Sequence, residues 1–376
     1  AISHTEKPMD FGFLNVIAKS AQFPPVDMWF SGHSINYYYF GHLMMAVLTV
    51  ITGVPSSIAY NLSVALIPSL VAICSYGLIY NLIRISGGSK IRSSIFALLG
   101  PVFVGFIGNL VGSLEFIASL GGGSEGFWDW IAIKDLSYHS DANWKVFPQD
   151  HLWWWRSTRV IDTLVEGNSL DYTITEFPFF SFLLGDLHAH MMALPVLIFG
   201  LSLSFNFLLS ETKPGIAWFR NNVLEIAFIS GSIGIIACIN IWDLPLLGAI
   251  FVAIILFKLL KDGNVRFVDK ISHGVWLTLP ILIGFVLISL PFYLGFDGSV
   301  EGIRPLLGPS TRPVHFFLIW GFFLAISIPF IFRQLIISPK INSHCKYIII
   351  GSVLAIMPLI IWICWVAISD SGHEIR

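Results

Sequence analysis

Charge is what this chain has least of. Only 12% of its 376 residues are Asp, Glu, Lys or Arg, where a soluble chain carries roughly 25%. The shortage is concentrated in long runs. No charged side chain occurs from Met28 to Ile83, from Ser93 to Leu114, from Leu187 to Ser210, from Ile271 to Phe296, from Pro313 to Phe332 or from Tyr347 to Ser369. Each run is long enough to cross a bilayer, which takes about 20 apolar residues. The runs are apolar all round, so they lack the polar face that helices around a large soluble core would need. Cysteine is also scarce. Cys74, Cys238, Cys345 and Cys364 form no CxxC pair, so neither a disulfide framework nor a zinc site is indicated. The glycine-rich stretch Gly121 to Gly126 lacks the strand and lysine of a phosphate-binding loop and reads as a flexible linker. Basic residues are scattered, which leaves no nucleic-acid signature. An initiator Met and a signal peptide are both missing, and a segment of a longer protein with at least one span upstream is expected.

The pattern predicts an all-α, polytopic membrane bundle of about eight transmembrane helices with short interfacial helices. The expected spans are 58–83, 94–116, 180–209, 223–241, 244–260, 271–294, 314–333 and 347–368. The stretch Gly41 to Gly53 is too short to span and reads as re-entrant or interfacial. The pair 223–241 and 244–260 reads as a tight hairpin turning at Asn240-Ile241-Trp242-Asp243-Leu244-Pro245. The expected regions are an extracytoplasmic loop with interfacial helices (1–57), a first helix pair (58–116), a second extracytoplasmic loop (117–179), the remaining spans (180–368) and an extracytoplasmic tail (369–376). Alternating the spans puts 12 of the 21 Lys and Arg on one side with only four acids, leaving 19 of the 23 acids opposite. By the positive-inside rule the basic side is cytoplasmic, and both ends of the chain are expected outside a multi-pass cell-membrane protein.

Polar chemistry gathers on the acidic side. Asp186, His188 and His190 are three ionisable groups at the mouth of an apolar run, which points to function by default. In an extended segment all three would share a face and converge on a divalent metal or a phosphate. In a helix Asp186 and His190 would share a face and His188 would point away. A helix-cap network is the third reading. Tyr37, Tyr38 and Tyr39 sit at a membrane boundary as an interfacial belt or as faces for a sugar. Asp243 either caps the helix that follows or touches substrate.

Several segments carry a resemblance. Glu6-Lys7-Pro8-Met9-Asp10-Phe11, Asn36-Tyr37-Tyr38-Tyr39-Phe40-Gly41, Glu176-Phe177-Pro178-Phe179-Phe180-Ser181-Phe182 with Gly185-Asp186-Leu187-His188-Ala189-His190, and Asn240 with Trp242-Asp243-Leu244-Pro245 resemble the signature segments of the Chlor_Arch_YYY family of uncharacterised membrane proteins, named for its YYYxG motif. The resemblance runs from Glu6 to about Trp320, and it adds Glu176, Asn240, Trp242 and Asp243 to the candidate substrate-binding residues. In layout alone the chain is also similar to the GT-C fold group of membrane glycosyltransferases, whose first extracytoplasmic loop carries an acidic catalytic residue and whose donor is a polyprenyl-phosphate sugar.

That analogy implies transfer of a sugar from a polyprenyl-phosphate donor to an acceptor on the extracytoplasmic face. Such a reaction needs a carboxylate for the acceptor proton and cationic or hydrogen-bonding groups on the departing phosphate. Glu6 or Asp10 is the candidate base, against solvated loop acids or helix caps. Arg156 and Arg159 are candidate phosphate ligands, against snorkelling beside the Trp153-Trp154-Trp155 belt. The competing functions are a transporter or lipid flippase and a non-catalytic membrane assembly subunit. A transporter would place its ionisable groups near the bilayer midplane. The expected partners are the lipid bilayer and the lipid-linked sugar, and no cofactor is implied beyond the metal option.

Overall fold

The computed structural model describes residues 5–136, 148, 153–165, 168–210, 216–261, 266–297 and 311–337. Helix α1 (Lys7–Lys19) starts where Pro8 presets the first turn. Helix α2 (Phe40–Thr52) ends on Gly53, whose φ of 65° is the left-handed stop that glycine allows. Pro55 then opens α3 (Ser56–Ile85), which runs through Pro68 for 30 residues. Ser89 caps α4 (Lys90–Ala97) by accepting the Arg92 N–H at 3.2 Å. After α5 (Leu99–Gly105) come α6 (Val111–Ser119), α7 (Glu125–Ile131) and α8 (Trp153–Arg156). Strands β1 (Ile161–Val165) and β2 (Asn168–Thr173) pair antiparallel with Ile161 opposite Thr173. The chain continues through α9 (Pro178–Leu184), α10 (Ala189–Leu209), α11 (Ile216–Asn221), α12 (Val223–Ile239), a 3₁₀ turn (Ile241–Asp243), α13 (Leu244–Lys261), α14 (Phe267–Tyr293) and α15 (Pro313–Ile337).

Five of these helices are long and apolar enough to cross a membrane: Ser56–Ile85, Ala189–Leu209, Ile241–Leu259, Val268–Tyr293 and Pro313–Gln334. Two shorter apolar helices, Phe40–Thr52 and Val223–Ile239, accompany them. The share of each long span buried within the protein runs from 11% in α15 to 39% in α10. Their exposed leucines, isoleucines and phenylalanines need a hydrocarbon solvent. The protein is thus a polytopic helical membrane protein, and the hairpin of α12 and α13 around Asn240 to Asp243 forms as the sequence predicts.

Three expectations differ. The run 94–116 does not form one span: α5 ends at Gly105, and Asn109 starts a new helix by accepting the Val111 N–H at 3.1 Å. The run 180–209 is broken by the turn 185–188, where Gly185 takes a φ of 67°. The loop 117–179 contains a β-ribbon that an all-α reading leaves out. The expected span 347–368 and the tail 369–376 lie outside the described residues.

The chain divides into two compact units, 1–107 with 181–299 and 108–180 with 300–376. The first is built on a continuous apolar core that includes Leu14 and Ile17 of α1, Tyr39, Ile67, Met191, Ile236 and Phe292. The starts of α2, α3 and α10 and the ends of α12 and α14 meet at one end through Phe11–Tyr60, Tyr39–Phe292 and the Asp10 contacts described below. The second unit has its own core, with Val111, Trp128, Ile131, Val160 and Leu318.

In the first unit α5 approaches α3 closely, and a Cβ on Gly100 would stand 2.6 Å from the Ser75 carbonyl oxygen. Backbone there cannot give way as a side chain can. Gly100→Ala should therefore destabilise the protein by about 1–3 kcal/mol. Gly231→Ala, where a Cβ meets nothing within 4 Å, should leave stability within about 0.5 kcal/mol. Chemical denaturation of the detergent-solubilised protein compares the two. Equal effects would exclude the close crossing.

Candidate active site

Helix α1 carries two acids one turn apart, and the fold treats them differently. Asp10 packs on the same face as Phe13, Leu14 and Ile17 and has no exposed surface. One of its oxygens lies 3.1 Å from Nε2 of His42, in the first turn of α2 and equally buried. The other accepts the Leu187 backbone N–H at 3.0 Å. Glu6 occupies the N-cap position of α1 but makes no cap bond there. Its side chain is 46% exposed, and Oε2 stands 3.3 Å from Nε2 of His188, which is 27% exposed.

Residues Asp186 to His188 are non-helical, and α10 begins at Ala189 with His188 at its N-cap. The His188 carbonyl accepts the Met191 and Met192 N–H groups, both at 3.0 Å. His190, inside the helix, sets Nε2 3.0 Å from the Ser181 hydroxyl. The two imidazole centroids are only 4.6 Å apart. Neither anticipated geometry applies, because a turn followed by a helix start leaves both rings side by side. Asp186 is buried beside them. Among the described residues no group of three or more His, Cys, Asp or Glu is placed to hold a metal ion.

The three tyrosines part ways. Tyr37 stacks on Phe13 with centroids 5.5 Å apart. Burial pushes its phenol well above the usual range, and the charges of Glu6, Asp10 and Asp186 push it further. It therefore stays a neutral donor beside the acids at any physiological pH. Tyr38 packs against Phe296 at 5.1 Å and lies parallel to Phe292 at 6.5 Å; burial raises its phenol too. Tyr39 is enclosed against Phe23 and Phe292. Burial, with a smaller contribution from Cys238, pushes its phenol up to about 12, and its hydroxyl has no hydrogen-bond partner among the described residues. Gly41, two positions on, admits Met192, which a Cβ would meet at 2.6 Å. An apolar pocket of about 160 Å³ opens beside these residues, lined by Gly41, Met44, Ile67, Met192, Pro195 and Phe199.

At the α12–α13 turn, Asn240 donates to the Asp243 carboxylate at 2.9 Å, and Trp242 is 67% exposed. Arg156, Arg159 and Glu176 belong to the second unit. There Glu115, almost fully buried, receives two hydrogen bonds from Arg156, at 2.8 and 2.9 Å. Arg159 reaches Glu176 at 3.4 Å and lies over the Trp155 ring at 4.7 Å. Both guanidinium groups are engaged by carboxylates of their own unit, a pairing the sequence reading leaves out.

His42 and Ser181 in the first unit, and Glu115 in the second, are the partners of candidate residues that the sequence reading misses. His42 had a signal, as the lone ionisable side chain in the first turn of an otherwise apolar helix. Ser181 and Glu115 had none, because only tertiary contact reveals their partners. No curated protein and no solved structure matches the chain. The model of the family described as Uncharacterized membrane protein (DUF2298) matches residues 1–369, and the chain belongs to that family of membrane proteins.

Proposed function

We propose that the protein is a membrane glycosyltransferase that moves a sugar from a polyprenyl-phosphate donor to an acceptor on the extracytoplasmic face. The observation that carries this reading is the half-exposed Glu6 carboxylate 3.3 Å from His188, in the unit that also holds an apolar pocket running from Gly41 and Met192 to Ile67 and Phe199. A lipid-linked donor has the same division, with a polar reacting end and an apolar chain. Glu6 is the accessible base for the acceptor hydroxyl, and the His188 ring stands beside it, with Nε2 3.3 Å from the carboxylate. The neutral Tyr37 hydroxyl and His190 are donors that could steady charge developing on the leaving phosphate. Tyr38 and Tyr39 serve packing in this scheme. Arg156 and Arg159 each face a carboxylate of the second unit and are left out of this scheme.

Orientation follows from charge. The end opposite Glu6 and Asp10 carries Arg84, Lys90 and Arg92 at the α3–α4 turn, Lys258 near the end of α13, and Arg266 before α14. The positive-inside rule makes that end cytoplasmic. In a cysteine-free background, a membrane-impermeant thiol reagent applied to whole cells should label Ser31→Cys, in the loop before α2, and not Ser89→Cys. The reverse pattern would invert the topology and remove the extracytoplasmic site.

The reaction is tested with purified protein, radiolabelled polyprenyl-phosphate hexose and cell-envelope acceptors. Glu6→Gln should lower turnover about 10²- to 10⁴-fold, the usual loss for a general base, with an unchanged melting curve. Full activity in Glu6→Gln would exclude Glu6 as the base. Absence of transfer in every form, alongside substrate-dependent flux in liposomes, would favour a transporter.

A further inference from the structure

We infer that Asp10 and His42 form a buried positioning clamp. It fixes the Gly185–His188 turn on α1 and so sets Glu6 against His188, without Asp10 itself meeting substrate. The inference rests on the glycosyl-transfer reading only for its activity measurement.

The geometry is that of two adjacent rungs. Asp10 N–H donates to the Glu6 carbonyl at 3.0 Å, so the two acids stand one helical turn apart on α1. Across from them, Leu187 and His188 are consecutive residues of the turn. Asp10 receives the Leu187 N–H at 3.0 Å, and Glu6 meets the His188 ring at 3.3 Å. Moving the lower rung moves the upper one, because two bonds of backbone separate the Leu187 nitrogen from its carbonyl carbon and the next residue is His188. No side chain caps α10 at His188, and the Asp10 carboxylate instead holds the chain one residue ahead of that N-cap, at the Leu187 N–H.

Asp10 is unsuited to be the base itself. It has no exposed surface, and each of its oxygens already faces an N–H donor. His42 completes the clamp from a third element. Its Nε2 faces Asp10 at 3.1 Å, while Nδ1 is buried without a hydrogen-bond partner among the described residues. That arrangement suits the tautomer that protonates Nε2, since an N–H at Nδ1 would be buried with no acceptor. The ring also rests edge-on against Phe13, centroids 5.4 Å apart. One carboxylate thus joins α1, α2 and the entry to α10.

Two variants of one residue separate the roles, measured in the full chain. Asp10→Asn keeps an acceptor oxygen for Leu187 and removes the ability to act as a base. Asp10→Leu removes both. Hydrogen exchange resolved to the Leu187 amide reads the clamp without any assay of transfer. Protection should persist in Asp10→Asn and fall at least tenfold in Asp10→Leu, while amides in the middle of α14 keep their protection. In the transfer assay, Asp10→Asn should lower kcat less than about tenfold, far less than Glu6→Gln, and Asp10→Leu should lower it as strongly as Glu6→Gln. His42→Ala should weaken Leu187 protection partway.

Unchanged Leu187 exchange in Asp10→Leu would overturn the clamp. A loss of kcat in Asp10→Asn equal to that in Glu6→Gln, with Leu187 still protected, would make Asp10 the base and overturn the positioning role. If no form transfers sugar, the exchange measurements still decide the clamp, and only the glycosyltransferase reading falls.

Discussion

A carboxylate with no access to water has to find its hydrogen bonds within the protein, and the Asp10 side chain finds them on two different elements. Burying an ionised group without partners is among the costliest steps in folding. The cost is offset here by one donor from α2 and one from the backbone ahead of α10. Those donors cannot be supplied independently. The α2 helix must start where Tyr39 and Gly41 place it, and α10 must start late enough to leave the Leu187 N–H outside its own ladder. The break that divides the expected span 180–209 into two helices is therefore what the buried acid requires.

The same requirement sorts the acids and tyrosines. Glu6, one turn up the helix from Asp10, lies beyond the apolar face and keeps contact with solvent. Of the three consecutive tyrosines, only Tyr37 lies in the field of all three acids, and its raised phenol follows from that position as well as from burial. Tyr38 and Tyr39 turn toward Phe292 and Phe296 and carry packing. Three identical side chains in a row are divided by the direction in which each leaves the backbone.

Much of the architecture was legible in the sequence because a bilayer imposes a simple rule on composition. Runs such as 58–83, 271–294 and 314–333 correspond to α3, α14 and α15. Where the rule failed, a local polar device inside an apolar run had been outweighed by its surroundings. Asn109 carries no charge and did not interrupt the hydropathy of 94–116, yet its side chain begins a helix there. Of the candidate site, Glu6, Asp10, Tyr37, Asp186, His188 and His190 were all named in advance, and they lie in the first unit. Their pairing was not legible, because Asp10 with Leu187 is a contact across 177 positions. Arg156 and Arg159 show the opposite limit. Beside three tryptophans they looked available, and only the fold reveals the carboxylate facing each.

The second unit is not finished by the stretch that begins it. Residues 108–180 leave the first unit after α5, but α15 closes their core: Leu318 joins it, the Leu318 carbonyl receives the Leu110 N–H at 2.8 Å, and His315 meets the Ile131 carbonyl. The first unit, in contrast, is complete once the chain has reached its last described residue, Asp297. During synthesis the inserted unit thus starts earlier than α10 to α14 and must wait for all of them. Until α15 emerges from the ribosome, the apolar face built on Val111, Trp128 and Ile131 lacks Leu318, while the bundle carrying Glu6, Asp10 and the His188 turn can already close.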